Sequence, residues 1–153
     1  MLKIIDIKII DKRIGHLFPL PEHITLGSAG LDLRACVVSS MRLFPGMSKL
    51  ISAGLAIHIN DSSIVGLIMP RSGLGHKYGI ILGNSVGVID SDYQGELFMS
   101  ILNRSEKEFV INPGDRVAQI VFFSINQVKL NLVQSFNSAT SRGDGNFGHS
   151  GFF

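Results

Sequence analysis

The chain has 153 residues, a formal net charge of +2, 45% apolar and 17% charged residues, and a single cysteine. Those totals suit one domain with a substantial core, since a domain of about 150 residues buries roughly 68–70% of its unfolded surface. One cysteine excludes an internal disulfide framework, and a near-neutral chain without a long basic run lacks the electrostatic footprint of a nucleic-acid groove.

The charged fraction lies below the usual ~25%. Part of the apolar excess is therefore expected between subunits of an obligate oligomer. The opening "MLKIIDIKIIDKR" is interrupted by Lys3, Asp6 and Lys8 and leaves no signal-peptide core. Apolar stretches such as "IVGLIM" fall far short of the ~20 residues that span a bilayer. A soluble, cytoplasmic protein with no membrane partner is the expectation.

In chain order, "LDLRACVV" (31–38) puts Leu31, Leu33, Ala35 and Val37 on one face and Asp32 and Arg34 on the other, which predicts a strand. Cys36 within it reads as a small buried strand residue rather than a nucleophile. Runs at 49–59, 63–69, 96–102, 108–111 and 116–123 have strand length and composition. Turn chemistry separates them at "FPG" (44–46), "NDSS" (60–63), "NRSEKE" (103–108) and "NPGD" (112–115). No sustained helical stripe occurs, and at most one short helix is expected after Pro70, around "SGLGHKYG". The pattern predicts an all-β domain over residues 1–137, a barrel or sandwich.

From Ser138, "SATSRGDGNFGHSGFF" loses alternation and gains glycine. Alone, such a segment has too little apolar surface to offset its ordering entropy. Residues 138–153 are then either a spacer or, given Arg142, Phe147, His149 and Ser150, an arm able to close over a phosphorylated ligand.

Several residues stand where chemistry is possible. "PRSGLG" (70–75) is either a glycine turn with a surface arginine or an anion-binding concavity in which Arg71 grips phosphate bidentately. Gln119 in "GDRVAQIVF" is a wet-face strand residue or a phosphate donor, and Asp32 is a solvent-face residue or a supporting carboxylate. In "GNSVGVIDSDYQGEL" (83–97), Asp90 follows Val88 and Ile89 before any evident turn, so it is turn chemistry begun early or a reactive carboxylate. The five histidines show no zinc-like spacing. No P-loop, G-x-G-x-x-G or G-x-S-x-G pattern is present.

"SAGLDLRA", "PRSGLG", "GNSVGVIDSDYQGEL", "GDRVAQIVF" and "RGDGNFGHSG" together, in this order and spacing, resemble the five motifs of the trimeric dUTP diphosphatases (dUTPases) from Ala29 to Gly151. The resemblance implies a β-barrel-like jelly roll that assembles as a homotrimer, with active sites shared between subunits. It implies Mg²⁺-dependent hydrolysis of dUTP to dUMP and pyrophosphate by water attack at the α-phosphorus. That reaction keeps uracil out of DNA and supplies dUMP for thymidylate synthesis. By resemblance Asp90 activates the water, Asn84 recognises uracil, and Tyr93 packs under the sugar. Arg71, Ser72, Gly73 and Gln119 bind phosphates, while Asp32 contacts the metal's water shell. Arg142, Phe147 and Ser150 reach the γ-phosphate, stack on uracil and cap the phosphates respectively. Val88, Met99 and Gly148 join the substrate-binding set, and Asp92 shapes the turn.

The related dCTP deaminases use a glutamate at the reacting base, whereas "VIDSDY" carries the diphosphatase arrangement. A non-catalytic nucleotide-binding regulator would need a broken motif. The one departure is Asn146 before Phe147, where the family's tail has glycine; asparagine tolerates positive φ better than most residues.

Overall fold

The computed structural model describes residues 3–146 and 151. Among them, ten strands and one helix follow in order: β1 (Asp6–Ile9), β2 (Leu31–Arg34), β3 (Met41–Leu43), β4 (Ser48–His58), β5 (Ile64–Pro70), α1 (Ser72–Tyr78), β6 (Ile80–Leu82), β7 (Gly87–Ile89), β8 (Glu96–Asn103), β9 (Phe109–Ile111) and β10 (Arg116–Ser124). One sheet runs β1-β4-β8-β6 and a second β2-β10-β5-β7, with β3-β9 as a two-stranded ribbon. Every pairing between these strands is antiparallel. The two four-stranded sheets pack as a jelly-roll sandwich and do not close into a continuous barrel.

Period-two patterning explains the packing. In β8, Leu97, Met99, Ile101 and Asn103 are buried while Phe98 faces outward. Leu97, Met99 and Ile101 share one core with Ile51, Ala53, Leu55 and Ile57 of β4 and, from the other sheet, Leu33, Ile68 and Ile120. Each fully buried aliphatic side chain contributes about 1.5–3 kcal/mol relative to exposure. Asn103 is the buried polar side chain among the described residues, and it is fully bonded. Its Nδ2 donates to the carbonyls of Leu43 and Lys107, and its Oδ1 accepts from the Ser105 N–H and hydroxyl.

The strand expected over 31–38 ends at Arg34. The Ala35 N–H still donates to Asp115, but the Cys36 N–H donates to the Ser52 carbonyl of the other sheet, so the chain crosses the sandwich here. Opposite, the β4–β8 register shifts between Ser52 and Ala56, and Gly54 takes φ +70°. A Cβ on Gly54 would lie 2.4 Å from the Cys36 sulfur, so this bulge requires glycine. No described helix is long and apolar enough to cross a membrane.

Candidate functional site

Strand register assembles the first part of the site. Gln119 of β10 stands opposite Asp32 of β2 on one side and Met69 of β5 on the other. Arg71, Ser72 and Gly73 follow directly where β5 gives way to α1. Three separate sequence stretches thus line one cleft of about 360 Å³, formed by Asp32, Arg71, Ser72, Gly73 and Gln119 together with Lys77 and neighbours.

Within that cleft Arg71 Nε lies 2.8 Å from Asp32 Oδ1, and Arg116 Nη1 lies 3.1 Å from Oδ2. Arg71 Nη1 also donates to the Arg116 carbonyl at 3.1 Å. Gln119 Nε2 donates to the Pro70 carbonyl at 3.0 Å, and Gly30 leaves space for its amide: a Cβ there would lie 2.3 Å from Gln119 Oε1. One carboxylate between two guanidiniums leaves the region net positive. With the exposed Ser72 hydroxyl alongside, the donor set suits phosphate oxygens.

The same donors test a fit to Mg²⁺. Among the described residues no three His, Cys, Asp or Glu side chains cluster as a metal cage. Asp32 stands as the cleft's carboxylate with a guanidinium on each oxygen. This fits a cation held mainly by substrate phosphates that keeps its waters, with one carboxylate reaching it through water.

The second part is the hairpin after β7. β7 pairs with β5 at Ile68↔Gly87, Leu67↔Val88 and Gly66↔Ile89. Before it, Asn84 is exposed and Ser85 takes φ +63°. After it, the Asp90 carbonyl accepts from the Tyr93 N–H at 3.2 Å, closing a turn through Asp92. The Tyr93 hydroxyl donates to the Glu96 carbonyl at 2.9 Å, and its ring lies over Gly95, where a Cβ would come within 2.3 Å of the hydroxyl. Asp90 and Asp92, with Ser62, Val65 and Ile125 among others, line a separate cleft of about 500 Å³.

Antiparallel pairing separates the two parts. The chain enters Arg71 at one end of β5, whereas Asp90, just past the Gly66↔Ile89 pair, lies level with Val65 at the other. At ~3.3 Å per strand residue, Pro70 to Val65 spans roughly 16 Å. Within one copy, the arginine-lined cleft and the Asp90 carboxylate therefore do not meet.

Other expected site residues are scattered. Val88 projects outward at 61% exposure. The placement of Met99 in the substrate-binding set is corrected: its side chain is 1% exposed and packs in the core, because it shares the inward face of β8 with Leu97 and Ile101. Arg142 lines neither cleft; its Nε donates to the Gly145 carbonyl at 3.1 Å in a local turn. Phe147, Gly148 and Ser150 lie outside the described residues. Arg116 and Lys77 were missed by the sequence reading. Arg116 sits inside the quoted "GDRVAQIVF", so its charge was the available signal; Lys77 joins the cleft only through the turn into α1. The half-buried Cys36 thiol is pushed up to about 11, by burial foremost and then by the Asp11 carboxylate, which disfavours the reactive thiolate.

Comparison with known proteins places this architecture. The dUTPase family model matches residues 17–151. The deoxyuridine 5'-triphosphate nucleotidohydrolase of Klebsiella pneumoniae is 58% identical over 151 residues, covering 99% of each chain. That of Hamiltonella defensa is 60% identical over 150 residues, covering 98% of this chain and 99% of its own. A solved dUTPase of phage 80alpha superposes with a TM-score of 0.84 at 25% identity, covering 98% of this chain and 100% of that one. The dUTPase of Staphylococcus aureus phage phi11, which coordinates a structural Mg(II) ion, gives a TM-score of 0.76 at 23% identity, covering 88% of this chain and 99% of that one.

Proposed function

The chain belongs to the dUTPase family and hydrolyses dUTP to dUMP, and we propose that it does so at a site completed between copies. The Asp32–Arg71–Gln119 cleft of one copy takes the phosphates while Asp90 of another serves the attacking water. The observation that carries this reading is the separation of the two parts along β5, too long for one α-phosphorus to touch both. A homotrimer with shared sites satisfies it. The apolar residues Val128, Leu130, Leu132 and Phe136, each at least 78% exposed in the single chain, supply surface for subunits to bury.

The residues then divide the work. Arg71, Ser72, Gly73 and Gln119 bind and orient the triphosphate, and Asn84 reads the uracil edge beside Val88. Tyr93, braced on the Glu96 carbonyl, walls the sugar where a 2′-hydroxyl would collide. Asp90 takes the proton of the water as it adds to the α-phosphorus and pyrophosphate departs. General-base help is worth about 10²–10⁴ in rate, so most of the acceleration falls to positioning and charge neutralisation by the arginines. Asp32, acting through water, would steady a Mg²⁺ ion held mainly by the substrate phosphates, and that ion would supply neutralisation of charge on the phosphate oxygens. The 138–153 arm, bringing Arg142, Phe147, Gly148 and Ser150, closes over the bound nucleotide. The setting is cytoplasmic, where a reducing environment suits a chain with a free thiol.

The test is complementation. Asp90→Asn and Arg71→Ala chains, each inactive alone, regain a fraction of pyrophosphate release with dUTP when co-assembled, because some sites receive both intact residues. Asp90→Asn alone retains dUTP affinity within a few-fold. No recovery in verified mixed oligomers would sink the shared site, and normal turnover by Asp90→Asn would sink the assigned base.

A further inference from the structure

The turn between β4 and β5 gathers three distant segments. Asp61 shapes it: its Oδ1 accepts from the Ser63 N–H at 3.0 Å and the Ser63 hydroxyl at 2.6 Å. Its Oδ2 accepts from Lys3 Nζ at 2.7 Å, and its carbonyl accepts from the Ile64 N–H at 2.9 Å. Asn60, just before, takes φ +54°, a left-handed geometry that asparagine tolerates. The Asn60 N–H donates to the Ser91 carbonyl at 2.9 Å. On another side the Ser63 carbonyl accepts from the Ile125 N–H at 2.8 Å, immediately past β10.

Ser91 is the residue after Asp90. The hairpin's own closure at this point is the 3.2 Å bond from the Tyr93 N–H to the Asp90 carbonyl, and the Asp90 carboxylate has no hydrogen bond among the described residues. Its placement therefore depends on the backbone on either side. β7 fixes the approach through the Gly66↔Ile89 pair, and the 60–63 turn fixes the departure.

We infer that Asp61 is a positioning residue for Asp90: its side chain sets the 60–63 turn, and the Asn60 N–H of that turn holds the Ser91 carbonyl and so aims the neighbouring carboxylate. The inference rests on the reading of Asp90 as the base. A misplacement of about 1 Å can cost as much as 10²-fold in rate, so loss of the turn is legible in turnover. The Lys3 ammonium foremost, then the Ser63 donors, hold the Asp61 carboxyl well below the usual carboxylate range, so the turn stays set across neutral pH.

The experiment compares Asp61→Ala, Asp61→Asn, Lys3→Gln and Asp90→Asn in the full chain, well below the melting transition of each variant. Asparagine keeps the Oδ1 acceptor for Ser63 and gives up the lysine contact. The expected result is a kcat about tenfold lower for Asp61→Ala, with KM for dUTP within twofold because the phosphate cleft lies at the far end of β5. Asp61→Asn and Lys3→Gln restore kcat to within about threefold of the parent. The proposal is overturned if Asp61→Ala keeps its kcat while Asp90→Asn is inactive, or if asparagine performs no better than alanine. It is also overturned if activity falls only in proportion to the folded fraction. Normal turnover by Asp90→Asn would instead overturn the base assignment on which it stands.

Discussion

Arg71 and Asp32 are joined Nε to Oδ1 at 2.8 Å, tying the end of β5 to β2 across the intervening β10. With Arg116 on the other oxygen, the carboxylate holds two guanidiniums together that would otherwise repel. The pair is partly solvated, so its contribution to stability is small and its value is geometric: it presents Arg71 to the cleft in one orientation. Asp32→Asn keeps the shape but gives up the charge. The expected outcome is a kcat/KM about tenfold lower and a raised half-saturating Mg²⁺ concentration, read from dUTP turnover across a Mg²⁺ titration. An unchanged Mg²⁺ midpoint would remove Asp32 from the metal's surroundings.

Gly30→Ala tests Gln119 without touching it. The added methyl would lie 2.3 Å from Gln119 Oε1 and 3.1 Å from its Cδ, so the amide must swing away and lose its bond to Pro70. A flexible side-chain end yields cheaply, so the melting temperature moves by little. The triphosphate loses a positioned donor, and KM for dUTP rises about three- to tenfold, of the size expected for one hydrogen bond to a charged group. A variant with unchanged KM would leave Gln119 as a wall residue only.

These positions also mark what could be read from the chain. The long strands β4, β5, β8 and β10 were legible because their apolar runs are each bounded on at least one side by "FPG", "NDSS", "NRSEKE" or "NPGD", and the one helix was expected where it forms. The short strands β2 and β9 were read as well, from "LDLRACVV" and "EFVI", whereas β1, β3, β6 and β7 were not; β1 is exposed on both faces in the single chain and so has no burial alternation to detect. Met99 was a misreading that the sequence itself could have prevented, since "ELFMSIL" puts it in phase with Leu97 and Ile101. The Arg116–Asp32 pair and the distance from Arg71 to Asp90 depend on cross-strand register, which motif order does not encode.

Gly79 closes α1 in the left-handed region at φ +67°, its N–H donating to the Leu74 carbonyl. Its carbonyl accepts from the Arg104 N–H, and a Cβ would meet Ser105 Cβ at 2.9 Å and Ser105 N at 3.0 Å. Backbone strain and a backbone collision act together, so Gly79→Ala costs about 1–3 kcal/mol, measured as a lowered urea midpoint with an unchanged slope. Gly46, also at positive φ but with nothing near its missing Cβ, serves as the control: alanine there meets backbone strain alone and costs less. Equal losses at both positions would show that the Ser105 contact contributes nothing.

Cys36 gives the pH dependence. Burial, and then the Asp11 carboxylate, raise its thiol from 9.0 to about 11. In the unfolded chain that thiol ionises near its ordinary value, so between pH 9 and 11 the unfolded state sheds a proton that the folded state retains. Stability therefore falls as pH rises through that window and levels off above it. Urea midpoints at pH 8 and pH 10.5 should draw apart for the parent and by less for Cys36→Ala, which has no thiol to ionise. Iodoacetamide should modify the folded thiol slowly at pH 8 and at the rate of a free cysteine once urea unfolds the chain, because the thiolate is the reacting species. Rapid alkylation of the folded protein at pH 8 would contradict both the burial and the raised pKa.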